Sequence, residues 1–344
     1  MSWASAKTPV AWLDSNDYPH QEKEFDAIVG VGMKDQNDFI NTQQDLGKAL
    51  NTDWLFGYFS YEYTSSWEKS SHTNPSFTEF PILQFFCPSK VWILKDDMLI
   101  ALYPVELCSE KDFNNIISTV VIDEPIPLIE LSSRTPRDLY LENASALKAH
   151  ISRGDIYEVN YCVEWFASNV SVPTLSLYNA LNRIAVTPFA AYLKMGSTYL
   201  MCASPERFLK RQGTDVISQP IKGTAGRHID PIIDRAEAKR LKNDRKERSE
   251  NIMITDLIRN DLSRIAKKGS VKVPEQCAVY PFAQVHQMIS TIKAKCSPEI
   301  SSLDVVNACF PMGSMTGAPK QRAMELINQY EDCKRGLYLS LIHI

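Results

Sequence analysis

Apolar and polar positions along this chain follow two different periods. Over residues 1–120 they come in short β-type runs separated by turns, as half-buried strands require. Residues 53–63, DWLFGYFSYEY, are aromatic and strand-forming around Gly57, and residues 82–86 and 90–103 read as further strands joined through Cys87, Pro88 and Ser89. Residues 64–81 are rich in Ser, Asn and Pro and predict a surface loop. Three prolines in residues 123–137 forbid a continuous helix and mark a connector, which divides the chain into an N-terminal domain, 1–122, and a second domain, 138–344. Beyond it the pattern mixes periods. Helices are predicted at 137–153, 174–184 and 320–330, and strands at 157–167, 189–194, 198–203 and 215–221. Strand clusters with helices in blocks, and no repeat of period 20 to 50, predict an α+β fold with a large antiparallel β-sheet core flanked by helices.

The longest helical pattern is residues 234–267, read as one helix. At about 100° per residue, Ile254, Leu257, Ile258, Asp261 and Ile265 share a stripe with Glu247 and Glu250 two turns earlier. Arg245, Ser249, Asp256, Arg259 and Asn260 fall on the opposite, wet face. Two carboxylates pointing where the core points need a cation, and an all-oxygen pair suits magnesium. The same pair also fits a solvated N-terminal turn.

Composition narrows the classes. A chain of 344 residues with 44% apolar content can bury a large core and exceeds what one core usually serves. Neither a secretory leader nor an apolar run of about 18 to 20 residues is present, so a cytoplasmic protein outside the membrane is expected. The eight cysteines have no C-x-x-C spacing, against both a disulfide framework and a zinc site. A net charge of −4 with dispersed Lys and Arg leaves no footprint for nucleic acid. A small-molecule or protein partner is expected instead.

Three short stretches carry candidate chemistry. In ASPERF, Glu206 follows a Ser-Pro turn at a strand end, where burial would raise its pKa into the range of an acid catalyst; an Arg207-paired surface acid fits as well. In QPIKGTAGR, a strand delivers Lys222 into a loop containing Gly223, Thr224 and Gly226, as an anion clamp or, if desolvated, an amine nucleophile. In FPMGSMTGAPK, Gly313, Ser314, Thr316 and Gly317 precede Pro319 and a helix that starts at Lys320, which reads as an anion site at a helix N-terminus or as a plain Gly-rich turn.

SPERF, PIKGT, KERSEN followed by MI and DLIRNDL, VHQMIST and FPMGSMTGAPK, in this order and spacing, closely resemble the chorismate-utilising enzymes. The likeness runs over residues 137–338, and DWLFGYFSYEY resembles the family's N-terminal domain. Within the family the likeness is to the branch that aminates chorismate, aminodeoxychorismate synthase component I; in the related anthranilate synthase large subunit the residue corresponding to Lys222 is typically alanine. The resemblance implies that Lys222 adds to the chorismate ring as the 4-hydroxyl leaves and that Glu206 protonates that hydroxyl. It implies a magnesium ion held by Glu250 with Glu247 beside it, and a ring lined by Gly223, Thr224 and His286. It implies a substrate carboxylate met by Gly313, Ser314, Thr316 and Gly317 with Lys320 as nearby charge. Ammonia would come from a separate glutamine amidotransferase subunit, for 4-aminobenzoate and folate synthesis. Anthranilate synthase component I, releasing pyruvate, is the alternative enzyme reading, and an inactive subunit that only docks the amidotransferase is the alternative from another class.

Two departures stand out. Met312 occupies a position where the family usually has glycine, so Gly313 alone must carry that turn. The resemblance also implies that the family continues through roughly 80 further residues bearing a second magnesium glutamate and an arginine for the pyruvyl carboxylate. Residues 339–344 read as a tail unrelated to that pattern, and the isolated chain as a C-terminally incomplete one.

Overall fold

In the computed structural model the structure describes residues 1–19, 22–34, 39–50, 52–63, 73–121 and 123–337, and the backbone of 341–343. Two antiparallel sheets dominate. One has six strands in the order Thr198–Ser204, Phe189–Met195, Val10–Asp14, Ala27–Val31, Lys90–Lys95, Met98–Leu102. This sheet draws strands from both sides of the segment 123–137, so the 1–122 and 138–344 division does not coincide with the sheets. Pairing decides this: Val10–Asp14 is flanked by Ala27–Val31 on one side and Phe189–Met195 on the other.

The second sheet is built on the long strand Val285–Lys295. Lys272–Pro281 runs along one side of it, while Asp215–Gln219 and Ile221–Gly226 pair with successive halves of it. The strand expected at 215–221 is therefore two strands. Pro220 has no N–H to give to the ladder, and the chain steps there from one half of its neighbour to the other. Arg207–Gln212 completes this sheet by pairing with Asp215–Gln219. The strand expected at 157–167 shrinks to the two-residue bridges Glu158–Val159 and Trp165–Phe166. Strand propensity found only short partners there, Gly317–Ala318 and Ser132–Ser133. The aromatic run forms the strand Phe56–Phe59, paired with Leu83–Phe86 and with the backbone of Leu341–His343. The expected loop at 64–81 falls partly outside the described residues.

The expected single helix over 234–267 is two helices, Pro231–Asn243 and Arg245–Ser263. Asp244 separates them: it leaves helical geometry, and its carboxylate accepts the N–H groups of Lys246 and Glu247 at 2.9 and 3.0 Å. That side chain satisfies donors which a new helix would otherwise leave bare, and so restarts the helix. The predicted faces hold. Ile254, Ile258 and Leu262 are buried against Val216, Ile292 and Val305, while Arg245, Ser249, Asp256, Arg259 and Asn260 are exposed. Helices Arg137–Arg153, Thr174–Ala185 and Lys320–Tyr330 stand where their periodicity puts them.

Phe310 ties the two halves together. It is 1% exposed, in a cluster with Phe59, Tyr63, Phe85 and Val306, its ring edge-on to Tyr63. Burying a side chain of this size contributes about 1.5–3 kcal/mol. It thereby anchors the start of the segment 310–320 in the core of the N-terminal half. Among the described residues no helix is long and apolar enough to cross a membrane, and all eight cysteines are free thiols.

Candidate active site

The site is assembled around a bulge in the strand Ile221–Gly226. Ile221 pairs with Ile289 and Thr224 with Gln287, so Lys222 and Gly223 share the space opposite Met288. Gly223 has φ +99°, a conformation that favours glycine, and a Cβ there would press within 3.2 Å of the Glu247 side chain. The bulge is held from below by Asn251 of the acid-bearing helix, 1% exposed, whose amide donates to the carbonyls of Lys222 and Met288 at 3.1 and 3.0 Å. Ser290 Oγ in turn donates to Asn251 Oδ1. Helix Arg245–Ser263 thus sets both the backbone of Lys222 and the position of Glu247 beside Gly223.

Lys222 Nζ forms an ion pair with Glu158 Oε1 at 2.6 Å. Glu206 stands close by: its Oε1 accepts the Ile221 N–H at 3.1 Å, and the Lys222 charge acts on it. The carboxyl group itself is enclosed, although the residue as a whole is half-buried. Burial pushes its pKa up to about 7, against a smaller opposing pull from the Ser314 hydroxyl, the Ile221 N–H and the Lys222 ammonium. A carboxylic acid that keeps its proton to neutral pH beside a lysine can protonate a leaving oxygen. Arg207, the alternative partner of Glu206, instead donates to Gln219 Oε1 and the Glu22 carbonyl.

The segment 310–320 contributes less to the site than its composition promises. It is nearly all buried, and the N–H groups of Met315 and Thr316 bond back to the carbonyls of Met312 and Gly313. Thr316 Oγ is spent on those same carbonyls. Ser314 Oγ is buried, lies near enough to lower the Glu206 pKa, and makes no well-formed hydrogen bond among the described residues. Gly313 and Gly317 serve close packing. A Cβ on Gly313 would strike Leu257 at 2.6 Å, and one on Gly317, at φ +149°, would collide with the Glu158 carbonyl oxygen. Met312 sits at φ −59°, where any residue is at ease, so glycine is not needed there.

Two of the expected site residues stand in other company. Lys320, expected as a charge near the substrate carboxylate, has its ammonium buried against Asp261 Oδ2 at 2.6 Å and the Cys309 carbonyl at 3.0 Å. Asp261, the one acid deep on the apolar stripe, demanded a cation, and Lys320 is it. His286 does not share a face with Thr224. Adjacent strand residues point to opposite sides, so the side chain beside Thr224 belongs to Gln287, whose Oε1 accepts from Thr224 Oγ1 at 2.8 Å. His286 turns inward, 4% exposed, with Nε2 3.0 Å from Asp234 Oδ1. Arg227 foremost, then the His228 N–H, holds the Asp234 carboxyl far below the usual carboxylate range.

Glu247 and Glu250 lie between the wet and the dry readings, with side chains 26% and 34% exposed. The Lys246 ammonium sits between them, 3.3 Å from one and 2.8 Å from the other. It stands in for the cation the pair attracts. No cluster of three potential metal-ligating side chains occurs among the described residues. Two carboxylates, with water and substrate oxygens completing the shell, are still a usual arrangement for magnesium, so the donor set fits that ion. An open groove of about 680 Å³ lies along Ser249, Met253, Asp256 and Arg259 on the wet side of the same helix and contains none of these groups.

Comparison with known proteins places this geometry. The family model for chorismate binding enzymes matches residues 10–343. Aminodeoxychorismate synthase component 1 of Salmonella typhimurium is 40% identical over 210 residues, 61% of this chain and 46% of the relative. The protein of the same name from Bacillus subtilis is 29% identical over 304 residues, 83% of this chain and 64% of the relative. The chain spans about half the length (46%) of the enterobacterial relatives it matches. Among solved structures, anthranilate synthase component I from Streptococcus pneumoniae superposes with a TM-score of 0.73 at 22% identity, over 90% of this chain and 71% of that one. The isochorismate synthase MenF of Escherichia coli does so with a TM-score of 0.69 at 14% identity, over 100% and 78%. At these identities the likeness is one of fold.

Proposed function

The chain belongs to the chorismate binding enzyme family, and from that premise we propose that it carries the chorismate-aminating chemistry of aminodeoxychorismate synthase in the cytoplasm. Ammonia replaces the 4-hydroxyl of chorismate and the enolpyruvyl ether is kept. The observation that carries this reading is the placement of Lys222 2.6 Å from the Glu158 carboxyl group and close to the enclosed carboxyl group of Glu206. Lys222 adds to the chorismate ring as the 4-hydroxyl leaves, and Glu206 gives its proton to that hydroxyl, which departs as water. Ammonia then displaces the lysine. Thr224 and Gln287 present a hydroxyl and an amide on one face of the strand pair for the ring substituents. Glu247 and Glu250 would hold magnesium, which when bound would supply positive charge for a substrate carboxylate. The relatives named component 1 support a separate partner, and a glutamine amidotransferase is the partner that would supply ammonia.

The test is product analysis with chorismate, ammonia and magnesium. The expected product is 4-amino-4-deoxychorismate, converted to 4-aminobenzoate only after a separate lyase is added. Blue-fluorescent anthranilate appearing directly would overturn the choice of branch. No turnover from folded protein would favour a docking subunit.

A further inference from the structure

Glu158 lies in none of the stretches that carry the resemblance, yet it makes the closest polar contact to the lysine on which the chemistry turns. Its Oε1 meets the Lys222 ammonium at 2.6 Å, with the two side chains 13% and 20% exposed. Both of its oxygens are shielded and neither makes a well-formed hydrogen bond among the described residues; the contact with Lys222 is an ion pair by distance. A carboxylate this enclosed normally collects several donors. Here the lysine is the partner found for it.

The backbone around Glu158 is fixed much more firmly than its carboxylate. Tyr157 N–H donates to the Ala318 carbonyl at 2.7 Å and Asn160 N–H to the Thr316 carbonyl at 2.9 Å. Glu158 pairs with Ala318 and Val159 with Gly317, where the missing side chain lets the two segments touch. Arg335, buried in an ion pair with Glu331, clamps both segments by donating to the carbonyls of Met315 and Asn160 at 2.7 and 2.5 Å. The chain invests four backbone contacts and a buried arginine in aiming a carboxylate at Lys222.

We propose that Glu158 is the proton acceptor for Lys222, taking a proton from its ammonium so that the free amine can attack. This rests on the reading of Lys222 as nucleophile. An ammonium has no lone pair, and Glu206 cannot serve as acceptor because it must hold a proton for the leaving hydroxyl. When substrate covers the site and excludes water, an ion pair loses solvation that a neutral amine and carboxylic acid do not need, which favours the transfer. The protons balance. Glu158 takes one from Lys222, the C–N bond forms, the C–O bond breaks, and the hydroxyl leaves as water with the proton of Glu206. Ammonia then forms its own C–N bond and expels the lysine as an amine. Glu158 returns its proton to Lys222, and the product ammonium reprotonates Glu206.

The step is isolated by incubating protein with chorismate and magnesium but no ammonia. The covalent adduct on Lys222, chorismate less water, is then followed by intact mass, with chorismate binding measured in parallel by calorimetry. Glu158→Gln preserves size and a hydrogen-bond acceptor for Lys222 but cannot take a proton. It is expected to slow adduct formation about 10²- to 10⁴-fold at neutral pH with chorismate binding unchanged. The gap to the parent protein should narrow as pH rises and hydroxide takes over the deprotonation; the acidic groups around the lysine are Glu158 and Glu206, with Glu247 beside the neighbouring Gly223. Glu158→Asp should restore part of the rate. Adduct formation by Glu158→Gln at the parent rate, or a loss of rate matched by a loss of chorismate affinity, overturns the proposal. A parent protein that aminates chorismate without an adduct, or a Lys222→Ala variant that still turns over, overturns the nucleophile reading and this proposal with it.

Discussion

The Lys320 ammonium and the Asp261 carboxylate form an ion pair at 2.6 Å with side chains only 6% and 2% exposed, joining the first residue of one helix to the apolar stripe of another. Desolvation pushes the Asp261 pKa up, opposed by the charges of Lys320 and Arg264. Such a pair adds little net stability over a well-packed apolar pair, but breaking it is costly. Lys320→Met is expected to lose about 3–5 kcal/mol in urea unfolding at neutral pH. The loss should be smaller in mild acid, where Asp261 can take a proton. Adding Asp261→Asn should recover part of it; a Lys320→Met variant as stable as its parent would return Lys320 to the role of a free substrate charge.

Glu206 makes stability depend on pH in a stated direction. Its folded pKa is raised from the usual 4.5 to about 7, so the stability tied to its proton is complete below pH 4.5 and is lost as pH rises to about 7. At about 1.4 kcal/mol per pKa unit the swing is on the order of 3 kcal/mol. Glu206→Gln has no proton to lose there. Relative to the parent it should gain stability at pH 8 and show a flatter unfolding profile between pH 4.5 and 7, while amination falls about 10²- to 10⁴-fold. Equal pH slopes for the two proteins would remove Glu206 as a buried acid.

Glu247 and Glu250 predict a metal response. With Lys246 holding the pair in the absence of metal, Glu250→Gln should raise the magnesium concentration needed for half-maximal amination at least tenfold and weaken calorimetric magnesium binding. The thermal midpoint without metal should stay unchanged, since exposed pairs contribute little. Lys246→Ala should act oppositely and tighten magnesium. Magnesium binding indifferent to both changes would make the pair a surface feature.

The opposite facing of His286 and Gln287 separates two effects. Gln287→Ala should weaken chorismate binding or turnover without changing the unfolding midpoint, because its side chain lies with exposed Thr224. His286→Ala should do the reverse, since it opens a buried site beside Asp234 and costs about 1–3 kcal/mol in chemical unfolding. The pattern inverted between the two variants would put His286 back at the ring.

Local chemistry was readable from the residues alone. The stripe of Ile254, Ile258 and Asp261, the limits of helices Arg137–Arg153 and Lys320–Tyr330 and the motif order each depend on neighbours in sequence, and so survive in a one-dimensional reading, whereas the loop expected after Lys222 is a bulged strand, Ile221–Gly226. What tertiary structure decided were the relations between distant groups. Lys320 found Asp261 across 59 positions, and Lys222 found Glu158 across 64, because burial makes any enclosed charge seek its counterpart wherever packing brings it. The bulge and pairing register turned Gln287 rather than His286 toward Thr224, and period-two geometry makes such a choice all or nothing. Spacing along a chain sets which side chains share a local face; only the packed fold sets which of them meet, and the chemistry at Lys222 belongs to the second kind of fact.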